Sequence, residues 1–114
     1  MGILASTMRL MTLTNSKNDY DMRLMSLAEK ISGVTAQIAD IDEFNSDLDP
    51  NDPAVKKLEA EKKRLNQYEK KLEMQQKMLQ TQLQEVTQEL QACQQSLTQS
   101  IQSSGFFTYG LGGR

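Results

Sequence analysis

Histidine and tryptophan are absent from this 114-residue chain, cysteine occurs once, proline twice and glycine six times, and aromatic side chains make up 5% of the residues. Without histidine, the commonest general base and the commonest nitrogen ligand for metals are both missing. No glycine-rich phosphate loop, cysteine pair or set of convergent carboxylates takes their place. The chain therefore reads as a non-enzyme that needs no cofactor and no metal. The lone Cys93 cannot close an internal disulfide, so the fold does not depend on an oxidising compartment. The scarcity of aromatic residues argues against one thick globular core.

Long apolar runs are missing too. No stretch approaches the roughly 20 apolar residues of a membrane-spanning helix. Arg9 interrupts Met8 to Leu13, so the N-terminus does not read as a cleaved signal peptide. A formal charge of −2 and a pI near 5.1 give no basis for nucleic-acid binding. The basic residues that cluster, Lys56, Lys57, Lys62, Lys63, Arg64, Lys70 and Lys71, alternate with Glu59, Glu61, Glu69 and Glu73. That is the pattern of a solvated helix face with i,i+4 pairs.

What the chain does have is helical rhythm. From Ala54 to Ser104 no proline or glycine occurs, and Leu58, Leu65, Leu72, Leu79, Val86 and Cys93 recur seven apart. Leu83, Leu90 and Leu97 join them in a second register. This spacing predicts one helix, roughly 75 Å long at about 1.5 Å per residue, with a narrow seam for a partner helix. Cys93 on that seam acts as a small apolar residue. Upstream, Tyr20, Leu24, Leu27, Ile31, Val34, Ile38 and Ile41 alternate four and three apart, the same kind of seam. Ser16 followed by Asp19 has the form of a capping box, which predicts a helix start near Ser16. Residues 1–15 then form an N-terminal apolar segment, either a short helix of its own or an extension of the first helix. Ile3, Leu4, Met8 and Met11 could cover one of its faces.

Between the helices, Asn45 to Pro53 concentrates turn formers. Pro50 pushes Asp49 out of helical geometry, and Asp52 can cap a helix whose first position is Pro53. Asp47, Asp49 and Asp52 do not match the spacing of a calcium loop. The reading is an all-α, extended antiparallel helical hairpin, coiled-coil-like, that assembles with other copies. Its parts are the segment 1–15, helix one over 16–46, a turn over 47–53, helix two over 54–104 and an aromatic, glycine-rich tail over 105–114. Within a subunit, Leu24, Leu27, Ile31, Val34, Ile38 and Ile41 are expected to pack on Leu58, Leu65, Leu72, Leu79 and Val86.

Other features point outward. Met25, Ala28, Ser32, Ala36 and Ala39, with Gly33 beside them, form a second stripe on helix one that a single hairpin partner cannot cover. After Glu89 no charged residue appears until Arg114, and glutamine dominates that stretch, which suits burial between subunits or the lining of a wet passage. Phe106, Phe107 and Tyr109 in the tail suit docking into a neighbour. With Met8 and Met11, these residues are the candidate intersubunit contacts.

Asp49-Pro50-Asn51-Asp52-Pro53-Ala54, followed by a long helix with Leu58, Leu65, Asn66, Gln67 and Tyr68, resembles the needle subunits of bacterial type III secretion systems. The resemblance covers roughly residues 48–80. It implies a small hairpin that stacks helically into a hollow filament conducting unfolded substrates, with secretion-apparatus proteins as partners. This chain is longer, and adds the N-terminal segment and the tail. The resulting expectation is a bacterial structural subunit that polymerises into a helical filament or tube of a secretion or flagellar-type apparatus. Its location would be extracellular or at the cell surface, reached without a cleaved leader. The alternative is a soluble, cytoplasmic coiled-coil adaptor or chaperone forming a closed dimer or four-helix bundle.

Overall fold

A computed structural model describes residues 2–103 of the chain. Two helices account for nearly all of them: α1, Ile3–Ser46, of 44 residues, and α2, Pro53–Ser103, of 51 residues. They form an antiparallel hairpin, and no strand occurs among the described residues. The chain divides into two compact units. A turn unit comprises Met22–Gln80, and a terminal unit combines Met1–Asp21 with Thr81–Arg114.

In the turn unit, reversal is built from local hydrogen bonds. The Asp52 N–H donates to the Asp49 carbonyl at 2.9 Å, closing a four-residue turn with Pro50 in its second position, where a fixed φ suits it. The Asn51 N–H donates to Asp49 Oδ1 at 3.0 Å. Asp52 then caps α2: its Oδ1 accepts the Ala54 N–H at 2.9 Å, and its carbonyl accepts the Lys56 N–H at 3.1 Å. Pro53 fills the first helical position, as the capping pattern predicts, where a missing N–H costs nothing, so α2 starts at 53 and not at 54. Replacing Asp52 by Ala is expected to cost about 1 kcal/mol, visible as a lower urea midpoint with an unchanged slope.

The core of this unit is a seam. Leu27, Val34 and Leu72 are buried, and Ile31, Ile38, Leu65 and Leu79 pack around them. Antiparallel pairing shows in the cross-helix bonds, whose partners fall on α2 as they rise on α1. The Thr35 hydroxyl donates to Glu69 Oε2 at 2.7 Å, Lys62 Nζ pairs with Asp42, and Asn45 Nδ2 donates to Glu59 Oε1 at 3.0 Å. Val55, one helical turn before Leu58, is buried as well.

The terminal unit repeats the arrangement with different side chains. Ser6, Leu13 and Cys93 are buried; Leu10, Tyr20, Leu83, Val86, Leu90 and Leu97 are half-buried. α1 begins at Ile3 with Ser16 in its interior, so no cap stands at Ser16 and, of the two readings of the N-terminal segment, residues 3–15 are the extension of the first helix. Positions 6, 10, 13, 17 and 20 keep the four-three alternation, so residues 3–15 gain a seam and stay helical, whereas a cap must stand outside the helix. Val86 falls in this unit, whereas Leu24 to Ile41 fall in the turn unit. The Cys93 thiol donates to the Ser6 carbonyl at 3.3 Å, while Ser6 Oγ has no partner although the residue is 1% exposed. An orphaned hydroxyl in such a place is destabilising. Ser6→Ala is expected to raise the thermal midpoint, by an amount equivalent to about 1 kcal/mol.

Candidate functional site

With the seams occupied, what remains for function is the outward side of each helix. In the turn unit, α1 turns Met22 and Met25 away from the seam, 70% and 67% exposed. The same face continues through Ala28, Ser32, Ala36 and Ala39, all exposed, and the space above Gly33 is open. Small side chains there would let another backbone approach closely. On α2, Met74 and Met78, one helical turn apart, are 66% and 63% exposed. Because each pair faces away from the shared seam, this unit carries methionines on both of its outer flanks. The terminal unit shows a related face, Leu4, Met8 and Met11, spaced four and three apart and all exposed. Met8 and Met11 do not share a buried face with Ile3; Leu10 and Leu13 take the seam instead.

The two helices of the turn unit differ in charge. Residues 22–46 hold Arg23 and Lys30 against Glu29, Asp40, Asp42 and Glu43, a net of −2. Residues 53–80 hold eight Lys and Arg against four Glu, a net of +4. Part of this is used internally. Lys62 occupies a seam register, and its pKa is raised, chiefly by the hydrogen bond to Asp42 and partly by the nearby negative charges of Asp42 and Glu59. Its amine stays partly exposed, as a long aliphatic stem permits. A raised pKa means that the pair helps the folded state below the ordinary lysine range and stops helping as pH rises through the folded value. Asp42→Asn is expected to lower the titration midpoint of Lys62, followed by NMR of its side chain.

No protein family, curated protein or solved structure matches this chain.

Among the described residues there is no group of three or more His, Cys, Asp or Glu placed to hold a metal ion. No helix formed by them is long and apolar enough to cross a membrane. The clefts are shallow and open: one between the helices near Ala28, Ile31 and Gln76, another along α2 at Gln91, Gln94, Gln95, Thr98 and Gln99. The latter lies in the charge-free stretch, whose glutamines are exposed. In the Lys- and Glu-rich part of α2, Arg64 pairs with Glu61 at i,i+3, while Lys62, Glu69 and Glu59 reach across to α1. These cross-helix roles went unrecognised in the sequence, where all three read as solvated positions. Candidate contacts Phe106, Phe107 and Tyr109 lie outside the described residues.

Proposed function

We propose that this protein is a structural subunit whose copies join flank to flank, the α1 face of one against the α2 face of the next, and so build a helical filament or tube. The observation that carries this reading is the pair of methionine-bearing flanks on opposite sides of the turn unit, one on an acidic helix and the other on a basic helix. Exposed apolar side chains at helical spacing favour a helix-on-helix contact. Opposite charge on the two helices favours unlike flanks meeting and disfavours like ones. A contact between two different patches of the same molecule is heterologous, and such contacts propagate unless the rotation closes a ring.

Supporting contacts would come from Leu4, Met8 and Met11 and from the aromatic tail. The proline-bounded turn and its likeness to needle subunits support a secretion or flagellar-type apparatus as the setting, with an extracellular or cell-surface location. A soluble adaptor forming a closed dimer or four-helix bundle is the competing reading, favoured by the adaptability of exposed methionines toward varied clients. Negative-stain electron microscopy of the purified chain separates the two. Fibres of uniform width support the filament subunit, and small discrete particles at every concentration support the adaptor. Deleting residues 105–114 is expected to weaken fibre formation while far-UV circular dichroism stays nearly unchanged; undiminished fibres would remove the tail from the contact.

A further inference from the structure

All six described methionines, Met8, Met11, Met22, Met25, Met74 and Met78, are more than 60% exposed, and none occupies a seam. The buried positions are held by Leu, Val, Ser and Cys93. The thioethers, which peroxide converts to sulfoxides, are therefore segregated from the side chains that hold the hairpin together. From this separation we infer that Met22, Met25, Met74 and Met78 form a modification site through which a peroxide-class oxidant, acting on the unassembled subunit where all four are exposed, prevents polymerisation and leaves the subunit folded. The inference rests on the flank-to-flank contact proposed above.

The chemistry is a two-electron oxygen transfer. A thioether sulfur lone pair attacks one oxygen of hydrogen peroxide, forming the S–O bond as the O–O bond breaks. The transferred oxygen's proton goes to the departing hydroxide, which leaves as water. Sulfur is oxidised to the sulfoxide and peroxide is reduced. The product is polar and chiral where the contact needs a flexible apolar side chain. Up to four such changes, two on each flank, act on every contact between successive copies. Reversal needs a thiol-driven methionine sulfoxide reductase, which returns the thioether and releases the oxygen as water while two thiols become a disulfide.

Cys93 stands apart from this chemistry. It is buried, with its thiol directed to the Ser6 carbonyl, so it is shielded while the exposed methionines react.

The test uses the full-length chain, treated with hydrogen peroxide while dilute and unassembled and then concentrated, with sulfoxides located by peptide mass mapping. Once Met22, Met25, Met74 and Met78 are converted, the concentration needed for assembly is expected to rise about tenfold or more, with helical circular dichroism retained. Repair by the two sulfoxide reductases, one for each sulfoxide epimer, is expected to restore it. An unchanged assembly threshold after all four have been converted would overturn the inference and leave the flank contact standing. Loss of helicity together with assembly would also overturn it, since the hairpin itself would then be the target. If the untreated chain never assembles at any concentration, the flank contact fails first and takes the inference with it.

Discussion

Truncating Leu72 to Ala is expected to lower the stability of the hairpin by about 2–3 kcal/mol, more than any other single apolar truncation in the turn unit. Leu72 is the least exposed apolar residue among those described, at 3%, and it packs with Leu27 and Val34 at the centre of the seam. Leucine-to-alanine changes in closed cores reach higher values. A two-helix seam has water on both sides, so the space left behind partly fills or collapses, and the lower part of the range applies. In a chain of this size that loss corresponds to a fall of roughly 10–20 °C in the thermal midpoint. Leu65→Ala and Leu79→Ala, at half-buried positions, should cost less. Equal effects at all three would mean that the seam has no centre and that Leu72 is not its anchor.

The second large effect concerns assembly. Introducing Met22→Lys with Met25→Lys should block the α1 flank, because the added charge has the sign of the α2 helix it meets, and Met74→Glu with Met78→Glu should block the α2 flank in the same way. Both sites are exposed in the single chain, so each double variant is expected to stay folded, with helical content close to that of the parent. Neither should polymerise alone. Mixed in equal amounts, however, the intact α2 flank of the first meets the intact α1 flank of the second. The mixture is expected to yield a capped pair of one copy each, seen by sedimentation as a single species of twice the chain mass. An isologous contact behaves differently: if α1 flanks met each other, the α2-blocked variant would still dimerise by itself and mixing would add nothing. The electrostatic part of each block should shrink as salt rises, while the part due to the lost apolar contact remains.

Much of the hairpin is legible in the sequence because α2 writes its seam in one residue class. Leucines seven apart, free of proline and glycine for fifty residues, leave no other reading. The turn is equally plain, since Asp49-Pro50 and Asp52-Pro53 act locally and need no distant partner. The N-terminal part of α1 is harder to read. Lys17 and Ser6 stand at seam positions, so the apolar rhythm breaks there even though the helix does not, and the Ser16–Asp19 pair offers a false start. Ser6 earns its burial only through proximity to Cys93, 87 residues away in sequence. Lys62 and Glu69 present the same difficulty. Each sits in the seam register of α2 and is satisfied by Asp42 or Thr35 across the hairpin, a pairing that local spacing cannot reveal. The outer stripe of α1 could be recognised from its small residues and methionines, but the matching flank on α2 could not. Met74 and Met78 are only two residues among many polar ones, and their meaning depends on knowing which way the seam faces.

The most direct measurement of the central claim is the mass of the purified chain in solution, by light scattering or sedimentation, across a wide range of concentration. Copies that join through two unlike flanks are expected to grow in mass steadily as concentration rises, without a plateau at a small whole number of chains. A mass fixed at one, two or four chains throughout that range would contradict the account.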